Sequence, residues 1–237
     1  MDFLTAQWKK LAIANFEVDP AVLAPFIPAK TELDLWNGSC YVSLVGFMFL
    51  NTRLKGFRIP FHVNFEEVNL RFYVKYNDNG NWKRGVVFIK EIVPKPAITL
   101  VANLIYKERY ETMKMAHSWK KIENDLHVEY RWKCKNTWQK LSIVADHTPR
   151  EMAPGSEAEF ITEHYWGYTQ IDAQQTYEYQ VTHPRWEQYA VKNHQINVDF
   201  GLVYGKDFAF LNQLEPHSVM LAEGSGITVE SISKICY

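Results

Sequence analysis

The sequence has little of what usually announces a specialised protein. Three cysteines, Cys40, Cys134 and Cys236, are scattered over 237 residues with no CxxC pair. An odd, dispersed set argues against a disulfide framework or a zinc site and for incidental thiols in a reducing compartment. Charge of one sign is missing too: 26 basic residues stand against 27 acidic ones, and the short clusters Lys9-Lys10 and Lys120-Lys121 read as solvated faces. A nucleic-acid groove needs a stripe of Lys and Arg, so no nucleic-acid partner is expected. No apolar run approaches the ~18 residues of a membrane helix, and the opening MDFLTAQWKKLAIANF has no basic-then-apolar leader pattern. A cytoplasmic protein without a membrane partner is expected. There is no glycine-rich phosphate loop, no GxSxG elbow, and no HxH or HExxH among eight histidines. No metal and no cofactor is expected.

Aromatic side chains are abundant: 8 Trp, 13 Tyr and 14 Phe. They suit strands and pocket walls. The most regular stretch is Phe65–Tyr76, FEEVNLRFYVKY. Glu67, Asn69, Arg71 and Tyr73 alternate with Val68, Leu70, Phe72 and Val74, which predicts a strand with one apolar and one polar face. Arg84–Ile92 returns from it across a turn at Asn77–Asn81. A hairpin of Leu33–Trp36 with Cys40–Leu50 is expected around Asn37-Gly38, and another of Leu126–Lys133 with Thr137–Val144 around Lys135-Asn136. Trp8–Phe16 is amphipathic or strand-like, and Tyr177–Thr182 and Gln195–Tyr204 read as strands with a helical turn, Trp186–Lys192, between them. Val219–Ala222 and Ile227–Ser231 read as strands around a hairpin turn at Glu223–Gly226. Short helices are expected over Ala21–Phe26, capped by Asp19 with Pro20 first, over Ala97–Lys107, and over Glu157–Tyr165, where Ser156 and Glu159 have capping-box spacing. Asp207–Leu214 is a short helix or turn. With no regular βαβ alternation and no linker, residues 1–237 read as one α+β domain on a large antiparallel sheet, curled or closed.

Several long pieces carry a family resemblance. FLTAQWKKLAIANFEVDPAVLAPFIPAKTELDLWNGSCYVSLVGF, IPFHVNFEEVNLRFYV, RGVVFIKEIVPKPAI, FITEHYWGY, VTHPRW and HSVMLAEGSGITV occur in order along nearly the whole chain. Together they resemble the YqjF-like family, the bacterial domain of unknown function 2071, in the acetoacetate-decarboxylase-like superfamily. The resemblance implies a closed or nearly closed antiparallel barrel with a central cavity and a few outer helices. It implies no activity by itself. In acetoacetate decarboxylase a lysine within GREx-aromatic-GxPKK forms a Schiff base with a keto acid. The matching text here is Tyr106–Met115, YKERYETMKM. It sets Glu108 at the glutamate, Tyr110 at the aromatic and Lys114 at the reactive lysine. It departs from the pattern at both glycines (Tyr106 and Glu111), at the arginine (Lys107), at the proline (Met113) and at the second lysine (Met115).

Three readings of Glu67, Asn69, Arg71 and Tyr73 remain open from the residues: a sheet face in water, a buried polar network, or the wall of a ligand cavity. In the last, Arg71 is the natural partner of a carboxylate. Glu108 and Tyr110 are either surface groups or cavity groups. Lys114 is either a solvated lysine or, inside an apolar cavity, a nucleophile of lowered pKa. The expected function is binding of a small, partly apolar, possibly anionic molecule through Glu67, Asn69, Arg71, Tyr73 and Tyr110. The alternatives are a Schiff-base decarboxylase or lyase using Lys114 and Glu108, and an interaction protein with a filled core. A homo-oligomer is compatible with all three.

Overall fold

The computed structural model describes residues 2–235, so Cys236 lies outside the described residues. The chain opens on β1 (Asp2–Glu17), then one helical turn, α1 (Pro20–Leu23), which tightens to a 3-10 turn over Ala24–Phe26. The Asp19 carboxylate accepts from the Ala21 N–H at 2.8 Å, and Pro20 takes the first helical position, where its missing N–H costs nothing. Next come β2 (Thr31–Leu33), β3 (Tyr41–Leu54), β4 (Phe65–Asp78) and β5 (Asn81–Val93). Helix α2 (Pro96–Val101) runs into a π-helical turn over Ala102–Tyr106 and is followed by β6 (Tyr110–Thr112). Strands β7 (Lys114–Ile122), β8 (Asp125–Cys134) and β9 (Thr137–Asp146) form a meander. Then β10 (Arg150–Glu151), α3 (Glu157–Thr162), β11 (Trp166–Gln170), β12 (Thr176–Thr182), β13 (Glu187–Tyr189) and β14 (Val191–Asn197) lead to α4 (Phe200–Tyr204). A 3-10 stretch over Lys206–Gln213, β15 (Ser218–Ala222), β16 (Gly226–Glu230) and β17 (Ser233–Ile235) complete the described chain.

Seven strands close on themselves in the order β1, β3, β4, β5, β11, β12, β16 and back to β1. Closure removes the unpaired edges that an open sheet would expose. All contacts in the ring are antiparallel except the seam of β5 with β11. Two glycines stand at that seam. A Cβ on Gly85 would lie 2.4 Å from the Trp166 carbonyl oxygen, and one on Gly167 would lie 2.2 Å from Tyr179 Cζ. Gly85 lets the β5 backbone approach β11, and Gly167 leaves room for the Tyr179 ring of the antiparallel neighbour β12.

The alternation of β4 sorts its side chains as the pattern predicts. Val68, Leu70, Phe72 and Val74 belong to a core outside the ring, shared with Val128, Tyr130, Trp132, Leu141 and Ile143 of the second, antiparallel sheet β14-β9-β8-β7. Glu67, Asn69, Arg71 and Tyr73 turn inward, and all four are buried. The second sheet thus covers the outer wall, and an apolar ring interior lies on the other side, with Leu11, Ile13, Phe47, Phe49, Phe65 and Tyr106 in it.

Four local expectations are corrected. Asn37-Gly38 is a tight turn with both residues at positive φ, but only the bridge Trp36–Ser39 closes it; β2 pairs with β4 rather than with β3. Gln195–Tyr204 divides into the end of β14 and α4, because the Asp199 side chain caps a helix by accepting from the Leu202 N–H. Trp186–Lys192 is not a helical turn: β13 and β14 occupy it, held by β10, β15 and β9. Glu223–Gly226 is no hairpin turn. β15 and β16 are two lengths of one line paired along β1, interrupted where Lys10 N–H donates to Glu223 and Trp8 N–H to Ser225. Gly224 alone of its two glycines has positive φ, and a Cβ there would meet the Trp8 carbonyl. The Ser156 cap of α3 forms as the spacing predicts, accepting from the Glu159 N–H at 3.2 Å. Among the described residues no helix is long and apolar enough to cross a membrane.

Candidate functional site

The ring encloses a cavity of about 340 Å³. Aromatic and aliphatic side chains make most of its wall, among them Trp8, Phe47, Phe49, Phe65, Phe88 and Trp186. Ile59 and Val101 line the cavity and are also 42% and 39% exposed, so the loop after β3 and helix α2 form its mouth.

A row of polar groups crosses this apolar wall. Asn69 of β4 pairs in register with Glu91 of β5, and Glu91 with Tyr110 of β6. Glu67 accepts from Asn69 Nδ2 at 3.0 Å and from the Tyr110 hydroxyl at 3.2 Å. Glu108 accepts from Thr169 Oγ1 at 2.6 Å and from the Tyr179 hydroxyl at 3.1 Å. Burial pushes the carboxyls of Glu67 and Glu108 up to about 7, only partly offset by these hydrogen bonds. Burial, then the neighbouring charges of Glu108 and Glu67, also raise Glu91 well above the usual carboxylate range. Three acids that close cannot all ionise in a poorly solvated site, so the cluster retains protons near neutrality.

Arg71 is the cation of this cavity. It is 7% exposed, lines the wall, and lies 5.7 Å from the Tyr73 ring centroid. Its charge lowers the pKa of Glu67 and Glu91, yet among the described residues it makes no hydrogen bond or ion pair, and its Nε is sealed without a partner. Nine buried polar side-chain atoms lack a hydrogen-bond partner among the described residues. Seven of them belong to residues that line this cavity, including Arg71, Asn69, Glu91, Tyr106 and His164. Buried polar groups are normally satisfied, by protein or by ordered water, so the cavity wall offers these atoms to whatever fills it.

Beside Arg71 sits a second polar unit. His164 Nε2 lies 3.1 Å from Asp34 Oδ2, and Arg84 Nε donates to the same oxygen at 2.6 Å. Burial tends to raise the Asp34 pKa, but hydrogen bonds from His164 and Arg84 and the Arg84 charge hold it below the usual range. Burial pushes His164 down to about 4, so its ring is neutral near pH 7. Nε2 stands between the Asp34 carboxylate, which accepts, and Arg84 Nη2 at 3.3 Å, which donates, while Nδ1 has no partner among the described residues. The Tyr73 ring packs 4.7 Å from His164.

The predicted residues divide accordingly. Glu67, Asn69, Arg71, Glu108 and Tyr110 all line the cavity. A water-facing sheet is therefore excluded for this stripe. Tyr73 is buried next to it, where its hydroxyl shares a 2.7 Å hydrogen bond with Ser43, and belongs to the supporting network rather than to the wall. Lys114 is elsewhere. It is exposed at the start of β7 on the second sheet, while the buried Met113 before it faces the outer core. Strand β6 carries Tyr110 past the cavity and the chain leaves the ring before Lys114, so no lysine is among the described residues lining the cavity.

Glu91, His164, Asp34, Arg84 and Tyr179 were not legible as site residues. Strict alternation along β5 puts Glu91 with Val87 and Ile89. A bulge intervenes: Leu70 pairs with Lys90 but Arg71 with Phe88, so Ile89 is extra and Val86, Phe88 and Glu91 share the inner face. His164 and Asp34 lie 130 residues apart, and only ring closure brings them together. Among the described residues no group of three or more His, Cys, Asp or Glu is arranged to hold a metal ion.

Several solved structures share this fold. Acetoacetate decarboxylase from Legionella pneumophila superposes with a TM-score of 0.66 at 12% identity, over 100% of this chain and 90% of that one. The enduracididine biosynthesis enzyme MppR, complexed with pyruvate, gives 0.68 at 9% identity, over 99% and 91%. At such identities the likeness is one of fold. In sequence, the protein YqjF of Bacillus subtilis is 35% identical over 82 residues, which are 34% of this chain and 32% of that relative. A family model described as an uncharacterized conserved protein matches residues 5–226, and the chain belongs to that family, the domain of unknown function 2071.

Proposed function

We propose that the ring cavity binds a small, largely apolar molecule bearing a carboxylate, with Arg71 as its anchor. The observation that carries this is the Arg71 guanidinium: buried on an apolar wall, with no hydrogen bond or ion pair from the described residues. A buried, unpaired cation is costly, and a ligand carboxylate would complete it with two parallel N–H···O bonds. Neutral Glu67 or Glu108 would donate to a second oxygen, and Tyr110 would orient the carboxyl it serves. That one neighbour of this fold holds pyruvate, a small carboxylate, supports the reading. A lyase-type reaction is the second reading, favoured by the proton-retaining carboxyls at the cavity wall. It would proceed by acid–base transfer at Glu67 and Glu108 and not through an amine, since no described lining residue is a lysine.

Calorimetric titration of aliphatic and aryl carboxylates, each paired with its amide, tests the anchor. Carboxylates should bind in preference to amides, and Arg71→Met should weaken them about 10- to 100-fold, the worth of hydrogen bonds to a charged group. Equal affinity for acid and amide, or an Arg71→Met protein that binds as well as wild type, would overturn it.

A further inference from the structure

The mouth of the cavity has a composition that the cavity does not explain. Two segments form it, residues 51–64, the end of β3 and the loop after it, and residues 94–107 around α2. Phe57 is 73% exposed and Phe61 is 88% exposed, on a loop that also presents Ile59. Phe61 sits at a φ of 64°, the left-handed region that bulky residues avoid. On the helical segment Leu100 and Leu104 are 61% and 62% exposed, with Val101 and Ile105 beside them. Leu100 and Leu104, four residues apart, share the outward side, while Ile98, Val101, Ala102 and Tyr106 of the same segment line the cavity. Scattered exposed apolar residues are ordinary; two large aromatics and an aliphatic stripe gathered at one opening are not.

The charges carried by the two segments themselves are of one sign. The two segments contain Arg53, Lys55, Arg58, Lys95 and Lys107 and no Asp or Glu. Of the neighbouring acids, Glu66 bonds His117 at 2.6 Å and Glu111 bonds Lys90 at 2.7 Å, and Asp2 and Glu230 stand opposite each other across β1 and β16. Exposed aromatics and aliphatics inside a basic fringe are the chemistry of a surface that enters the headgroup region of an anionic bilayer. Such docking needs no membrane-spanning segment, so the absence of one in the sequence does not bear on it.

We infer that the mouth docks on an anionic lipid surface, and that the cavity takes its apolar carboxylate from there. The second half rests on the carboxylate reading of Arg71; the docking itself does not. Aligned this way, Phe57, Phe61, Leu100 and Leu104 enter the bilayer surface, the cations meet lipid phosphates, and an amphiphile passes between Ile59 and Val101 towards Arg71.

Co-sedimentation of the full chain with vesicles of phosphatidylcholine, with and without phosphatidylserine, tests it. Binding is expected to the anionic vesicles and to fall with added salt. Lys55→Gln and Arg58→Gln should each weaken it about fivefold, the worth of one juxtamembrane cation. Phe57→Ser with Phe61→Ser should abolish it, and because both rings are exposed the fold should keep its melting temperature. Arg71→Met should still bind vesicles, which separates failure of the anchor from failure of docking. No binding to anionic vesicles, binding indifferent to the phenylalanines, or a dimer in light scattering that the double variant dissolves would overturn the proposal, the last by assigning the face to a second copy of this chain.

Discussion

Replacing Glu108 with Gln should stabilise the protein above neutral pH and leave it nearly unchanged in mild acid. Glu108 is buried in the ring and its pKa rises from 4.5 to about 7, chiefly through burial. Between those values the folded state keeps a proton that the unfolded chain has released, so stability falls as pH rises across this window. Above it the full cost of the ionised carboxylate is present, about 3 kcal/mol at most and less where the site relaxes. Gln cannot ionise, yet its amide oxygen still accepts from Thr169 and Tyr179 as Glu108 does. Removing the charge also eases ionisation of Glu91, whose pKa Glu108 raises, and this acts in the same direction. His164 has the opposite dependence: its pKa falls from 6.5 to about 4, and stability is lost as pH drops through that interval. That term is common to both proteins and cancels. Urea unfolding followed by tryptophan fluorescence, at about pH 8 and about pH 4.5, measures the difference. A gain of about 1–3 kcal/mol at the higher pH only is expected. An equal effect at both pH values would show that folding does not raise the Glu108 pKa, a loss at the higher one would show an ionised and well-paired carboxylate, and either would refute proton retention at Glu108.

Three further outcomes follow from the geometry. Gly167→Ala should lower stability by about 1–3 kcal/mol, since its Cβ would collide with the Tyr179 ring on the antiparallel neighbour β12; an unchanged thermal melt would mean that this contact has slack. Asp34→Asn should cost about 1–3 kcal/mol near neutral pH, by removing the charged acceptor of Arg84 and His164, and should lose less than wild type as pH falls below 3.8, because the depressed Asp34 pKa contributes stability only above that range; denaturant midpoints across pH test both statements. Lys114→Ala should leave carboxylate affinity within about twofold, as expected for an exposed side chain, and borohydride with pyruvate should add no mass at Lys114. An adduct there would restore the Schiff-base reading.

Much of the fold was legible locally. The β4–β5 and β8–β9 hairpins, the Asp19 and Ser156 caps and the two-faced β4 depend on neighbours in sequence: turn residues, capping oxygens and a period of two. The same alternation identified Glu67, Asn69 and Arg71 as one surface, and the family pattern pointed to Glu108 and Tyr110. Local reading failed where long-range pairing overrode preference. The bulge at Ile89 turned Glu91 inward, and pairing with β9, β10 and β15 drew Trp186–Lys192 into strands.

By itself, then, the sequence determined which side chains of β4 travel together, because a strand's alternation is a property of the backbone. It could not determine what that face meets. The ring closes through β5 with β11 and β1 with β3, contacts between residues far apart in the chain. Closure brings Asp34 to His164 and buries Arg71 among acids from two strands and a loop. It also sends the chain out of the ring before Lys114, so that an amine adjacent in sequence to Glu108 and Tyr110 stands on the outside while a guanidinium 43 residues earlier faces the cavity. Proximity across a barrel is set by strand order and register, and neither is written in any one segment.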